Sequence, residues 1–145
     1  MKADQTTQAQ VVQCFKGMFE AYKKKDLQGV LGFWAPDQDI TVIGTGEDEK
    51  CCGAMKYTEN LLRDWEQADI TSIGVKDFTV SAALPVAWLN ADLTMNFQVG
   101  GKDQSITGRL TGVMEKRNGK FMWTQMHYSV PNVSQKKGQS WPKRK

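Results

Sequence analysis

At 145 residues, with 40% hydrophobic and 24% charged side chains, the chain has the size and composition of a single globular domain. A chain of this length buries about 70% of the surface its unfolded form exposes, so a core can form without metal or disulfide staples. No apolar run approaches the roughly 20 residues that cross a bilayer, and Met1 to Gln8 builds no apolar leader; a membrane partner is not expected and the expected location is cytoplasmic.

The net charge of +3 is unevenly spread. Lys136, Lys137, Lys143, Arg144 and Lys145 crowd the last ten residues without an acid, and removing these five from +3 leaves the body at −2. Such a tail can touch nucleic acid or anionic lipid, but the body has no basic stripe; a solubilising tail is expected and a nucleic-acid partner is not. Cys14, Cys51 and Cys52 form no C-x-x-C pair, and with one histidine the chain offers too few ligands for tetrahedral zinc. Structural thiols, no metal and no cofactor are expected.

From Thr6 to Lys25, Val11, Phe15, Met18 and Tyr22 recur at steps of four, three and four, the stripe of an amphipathic helix. Asp26 then reads as the N-cap of a short helix carrying Leu27, Val30, Leu31 and Trp34, stopped by Ala35-Pro36. A strand is predicted over Asp39 to Thr45, followed by the turn Gly44-Thr45-Gly46 and the acids Glu47, Asp48 and Glu49. That turn lacks the Lys-Ser/Thr of a phosphate loop, and its acids would repel phosphate; the acids do not match a calcium loop either.

A third helix is predicted over Ala54 to Gln67, and beyond it only strands: Ile70 to Ser81, Val86 to Val99, Gln104 to Arg117 and Lys120 to Val130. Gly100-Gly101 and Asn118-Gly119 supply hairpin turns. Gly108 and Gly112 are plausible bend points inside their strand. Three helices with one inserted strand, then four long strands in hairpins, describe an α+β domain. A curved antiparallel sheet should wrap around the N-terminal helices as a cone, with a pocket at its open end. The domain is expected over 1–131, with a basic C-terminal tail over 132–145.

Strand alternation divides the last run. Phe121, Trp123, Gln125, His127 and Ser129 are expected on one face, and Met122, Thr124, Met126 and Tyr128 on the other.

The order of elements, Gly44-Thr45-Gly46-Glu-Asp-Glu with Gly53 ahead of the third helix, and the ending His127-x-Ser129-x-Pro131 resemble the nuclear transport factor 2-like superfamily, in its SnoaL-like branch. The similarity covers about Thr7 to Pro131. Gly53-x3-Tyr57-x7-Trp65 and Gly119-Lys-Phe121-x5-His127-x-Ser129 are also similar to the association domain of calcium/calmodulin-dependent protein kinase II. The resemblance implies the cone, also called cystatin-like or ketosteroid isomerase-like. It is poor for function, because one fold hosts unrelated activities.

In the association domain a His and a Trp of the third helix border a pocket; their places are Tyr57 and Trp65 here. Three pocket arginines fall on Asn90 or Asp92, on Gly112 and on Tyr128, none of them Arg. The resemblance therefore implies an uncharged or slightly acidic pocket and a neutral or cationic guest. Parity adds that Trp88, Asn90, Asp92 and Thr94 share a face, as do Gly108, Leu110, Gly112 and Met114, and as do Met126 and Tyr128. The expected ligand-binding set is Tyr57, Trp65, Trp88, Asn90, Asp92, Gly112, Met126 and Tyr128.

His127 is expected as a structural side chain on the convex face, where this superfamily often dimerises, with general base as the alternative. Asp92 is the enzyme candidate, because desolvation by Trp88, Tyr128 and Met126 would raise its pKa; the alternative is a solvated Asp at the mouth. The leading expectation is a homodimeric small-molecule-binding SnoaL-like domain, with Trp123, Gln125 and His127 at the dimer interface. The competing ones are a cofactor-independent isomerase or lyase with Asp92 as base, and an oligomerisation module.

Overall fold

The apolar stripe of the first segment folds as α1 (Gln5–Lys23), with Asp4 as N-cap accepting a 2.7 Å hydrogen bond from the Thr7 amide. Lys25, in the left-handed region at φ 57°, ends the run. Asp26 caps α2 (Leu27–Leu31) by accepting from the Gly29 amide at 2.9 Å. The structure is a computed structural model and describes residues 1–142.

Two short strands follow, β1 (Thr41–Ile43) and β2 (Lys50–Cys52), before α3 (Ala54–Gln67). Sequence reading predicts β1 as a longer strand and assigns no strand over β2. Three-residue strands carry too little periodicity to stand out. The long strands are β3 (Asp69–Ala83), β4 (Val86–Val99), β5 (Lys102–Arg117) and β6 (Lys120–Ser129). Gly100, Gly101, Asn118 and Gly119 all have positive φ, the backbone that a two-residue hairpin turn requires.

The six strands form one open sheet in the order β2-β1-β6-β5-β4-β3. Every contact is antiparallel except that of β1 with β6, so the sheet is mixed rather than purely antiparallel. Its concave face holds α1 and α3. Phe15 of α1 packs at the centre, 5.0 Å from Phe78 of β3 and 5.9 Å from Trp123 of β6, measured between ring centroids. Trp34 stacks on Trp123 at 5.8 Å, and both indoles are buried. No helix among the described residues is long and apolar enough to cross a membrane.

Two features of register set which side chains face inward. The two-residue turn at Gly100-Gly101 pairs Val99 with Lys102, and so pairs Leu93, not Asp92, with Gly108. On β6, Gln125 pairs with Val113 and Trp123 with Met114, leaving Thr124 as the extra residue of a bulge. Its hydroxyl donates to the Val113 carbonyl at 3.1 Å. Across that bulge the inward positions change from odd to even: Phe121 and Trp123 are buried before it, Met126 and Tyr128 after it. Beyond Ser129 the described chain has no helix or strand; Trp141 is exposed, and Lys143, Arg144 and Lys145 of the predicted basic tail lie outside the described residues.

Candidate functional site

Between the two helices and the concave sheet lies a cavity of about 370 Å³. Its sheet wall is apolar: Leu93, Met95 and Phe97 of β4, Ile106 and Leu110 of β5, and Met126 of β6. Its helix wall is mixed. Met18, Phe19 and Tyr22 come from α1, and Tyr57, Asn60, Leu61, Asp64 and Gln67 recur along one face of α3. The β1–β2 turn adds Gly44, Thr45 and Glu49. Among the described residues, no Lys, Arg or His lines the cavity.

Asp64 is the chemically distinctive group. The Tyr22 hydroxyl donates to its Oδ2 at 3.1 Å, bridging α3 to α1. Removal from water raises the Asp64 carboxyl to about 6; nearby Glu49 pushes in the same direction, while the Tyr22 hydrogen bond and Arg63 oppose it. Burial also pushes the Tyr22 and Tyr57 phenols well above their ordinary range, so both stay neutral. Trp65 stands behind this pair rather than in the cavity. Its Nε1 donates to the Tyr22 carbonyl at 3.0 Å and its ring lies 6.0 Å from the Tyr22 ring. Lys25 donates to the Trp65 carbonyl at 2.9 Å, tying the end of α1 to the end of α3.

Glu49 is held in place from several sides. Its Oε2 accepts from the Gly46 amide at 2.7 Å, its backbone carbonyl accepts from the Gly44 amide at 2.8 Å, and Arg63 reaches its Oε1 at 3.4 Å. Arg63 spends its shortest contact, 2.6 Å, on Asp48. The Gly44-Thr45-Gly46 segment is thus the turn of a small hairpin that supplies one cavity wall.

Of the predicted ligand-binding set, Tyr57, Met126 and Tyr128 line the cavity. Tyr128 uses its hydroxyl to donate to the Leu93 carbonyl at 2.9 Å. Gly112 faces inward but lies under the Trp123 ring, away from the cavity. Trp88, Asn90 and Asp92 point outward: the buried residues of that strand are Ala87, Leu89, Ala91 and Leu93. Asp92 is exposed and stands in register between Lys76 of β3 and Arg109 of β5, so nothing desolvates it. The prediction fails by one residue, because the two-residue turn puts an even position of β4 opposite an odd position of β5.

Trp123 also departs from its predicted place. It is a fully buried core residue because the Thr124 bulge reverses the alternation, whereas Gln125 and His127 are exposed on the outer face. Register brings the two predicted sites together there: Trp88, Val113 and Gln125 form one cross-strand row, and Asn90, Thr111 and His127 the next. Polar ladders flank them, with Asn90 donating to Thr79 at 2.6 Å and Thr94 bonded to Thr107 at 2.9 Å.

Tyr22, Glu49, Asn60, Asp64 and Gln67 are among the polar cavity residues that sequence reading does not assign to the pocket. For Asp64 a signal exists: it follows Tyr57 and Leu61 at steps of four and three, a carboxylate on the buried stripe of its helix.

A curved sheet folded over α1 and α3, with a cavity between them, defines a nuclear transport factor 2-like domain. The chain belongs to the SnoaL-like domain family, whose sequence profile matches residues 11–133. Solved structures agree on the fold. An NTF2-like protein of unknown function from Pseudomonas putida has a TM-score of 0.76 at 16% identity, covering 98% of this chain and 99% of that one. A ketosteroid isomerase-like protein from Erwinia carotovora atroseptica has a TM-score of 0.73 at 14% identity, covering 86% and 95%. A candidate calcium/calmodulin dependent protein kinase II association domain from Xanthomonas campestris has a TM-score of 0.68 at 20% identity, covering 85% and 86%. No curated protein matches the chain significantly.

Proposed function

We propose that this SnoaL-like domain binds a small neutral or cationic molecule in the cavity between α1, α3 and the sheet, and works as a homodimer. The observation that carries the reading is the composition of the cavity: an apolar sheet wall facing Tyr22, Glu49 and Asp64, with no basic side chain in the lining. Its volume, about 370 Å³, falls in the range of roughly 300–1,000 Å³ typical of ligand pockets. An anion entering it would meet two carboxylates and no countercharge.

The dimer would form through the outer rows of β4, β5 and β6, where Trp88, Val113, Gln125 and His127 are adjacent. In this reading residues 1–131 are the working domain and the segment from 132 is a basic tail. The unpaired thiols Cys14, Cys51 and Cys52, the first two buried, support a reducing compartment such as the cytoplasm.

Native mass spectrometry of the purified protein tests both parts. A dimer carrying a reproducible small mass supports them together. A bare monomer at micromolar concentration ends the dimer reading. A cavity that takes up no small apolar probe, judged by the NMR signals of Leu93, Met95 and Met126, ends the binding reading.

A second reading has its own support. Asp64, with its carboxyl near 6 and a neutral phenol beside it, is suited to proton transfer near neutral pH, in a cofactor-independent isomerase or lyase. That reading predicts deuterium exchange at the α-carbon of bound ketone probes in heavy water, lost in Asp64→Asn.

A further inference from the structure

We infer that the cavity selects an apolar molecule bearing one protonated amine, with the ammonium group on Asp64 and the hydrocarbon body against the sheet wall. The inference rests on the binding reading above and names its ligand class.

The two ends of the cavity differ in chemistry. The β4 and β5 side offers Leu93, Met95, Phe97, Ile106 and Leu110, which give a guest nothing to hydrogen-bond. The helix side offers a carboxylate and two phenols. A guest that fits both ends must carry its only polar group at one extremity.

Charge chooses the sign of that group. Among the described residues, the titratable groups facing Asp64 are Tyr22 and Tyr57, which stay neutral, Glu49, which is acidic, Cys51, a thiol raised by burial, and one cation, Arg63. Arg63 is directed to Asp48 at 2.6 Å, with further bonds to Asn60 at 3.1 Å and Glu49 at 3.4 Å. Among the described residues, the Asp64 carboxylate is left with the Tyr22 hydroxyl as its one hydrogen-bond partner, on Oδ2, while its Oδ1 has none. A carboxylate can accept several hydrogen bonds, and an ammonium has three donors to give. Desolvation outweighs the pull of Arg63 and raises the Asp64 carboxyl, and a bound cation would reverse that shift.

Aromatic faces complete the environment. Tyr22 lies 6.4 Å from Phe19 and 6.0 Å from Trp65 between ring centroids, and Phe19, Tyr22 and Tyr57 all line the cavity from its helix wall. Such faces attract a cation and do nothing for a hydroxyl or a carboxylate.

The test uses three probes with one hydrocarbon body and different heads: 2-phenylethylamine, 2-phenylethanol and 3-phenylpropionate. Each is titrated into the full-length protein at pH 7.5 and pH 5, followed by calorimetry and by the NMR signals of Tyr22 and Leu93. The amine should bind about tenfold or more tightly than the alcohol at pH 7.5, the gain of a charge-assisted hydrogen bond, and the carboxylate should bind worst. The preference for amine should shrink at pH 5, where Asp64 carries a proton, and vanish in Asp64→Asn, while the affinity for the alcohol changes little. Glu49→Gln, a milder variant, should reduce the preference without abolishing it. Equal affinity for alcohol and amine, or preference for the carboxylate, overturns the amine assignment and leaves the cavity reading standing. If none of the three disturbs either signal, the cavity reading falls as well.

Discussion

The Tyr22 hydroxyl donates to Asp64 Oδ2 at 3.1 Å, and this one bond joins the helix that begins the domain to the helix that walls its cavity. It also leaves a carboxylate in a largely apolar recess with a neutral partner. Stability, pH response and ligand preference therefore converge on a single pair.

Asp64→Asn should stabilise the protein at neutral pH. The folded-state value of about 6 lies above the ordinary 3.8, so the folded protein holds more protons between those limits. Stability then declines as pH rises through that interval and stays lower above it. Asparagine keeps an acceptor for Tyr22 and removes the charge. Urea unfolding should show a gain of about 1–2 kcal/mol at pH 7.5, after allowance for partial solvent access, and none near pH 4. Parallel pH profiles for the two proteins would refute this.

Tyr22→Phe should act the other way. The carboxylate loses its donor, its pKa climbs further, and about 1–2 kcal/mol of stability is lost at pH 7.5. At pH 5 the loss should be smaller, because a protonated Asp64 no longer needs that donor. A cost independent of pH would mean that the phenol ring, not the bond, is what matters.

Two tryptophans should separate core from surface. Trp123→Ala removes a fully buried ring between Phe15 and Trp34 and should cost about 3–5 kcal/mol. Trp88, 37% exposed on the outer face, should tolerate Ala within about 0.5 kcal/mol while weakening self-association. Thermal melts paired with sedimentation velocity read both effects.

Gly112→Ala should be destabilising by about 1–3 kcal/mol, because the new methyl would run into the Trp123 ring, which has no room to retreat. Gly74→Ala on β3 is the control: nothing lies within 4 Å of the added carbon, and its melting temperature should hardly move.

Much of the architecture is written in local signals. The stripe of α1, the Asp26 cap, the limits of α3 and the two glycine-bearing hairpin turns all depend on neighbours a few residues away, and sequence reading places them. The cavity depends on alternation carried over fourteen or more residues of β4 and β5, where one misplaced step reverses a whole face. Analogy with a relative places Asp92 and Asn90 inward, whereas the two-residue turn at Gly100-Gly101 implies the opposite. The Thr124 bulge has no comparable signature, since threonine is an ordinary strand residue. Asp64 was legible as a carboxylate on a buried stripe, but its partner Tyr22 lies 42 positions away and appears only once the helices are packed.

The surplus residue at Thr124 also makes this strand unusually easy to rewrite. In the register that keeps Phe121 and Trp123 in the core, deleting that single amino acid would join Trp123 to Gln125 in an unbroken ladder and leave Met126 and Tyr128 inward, whereas pairing Thr124 with Val113 would turn the rest of β6 over. In that slipped register His127 would fall opposite Leu110 and face the cavity, and Tyr128 would turn out to solvent. The cavity is therefore kept free of an imidazole by one residue held out of the ladder.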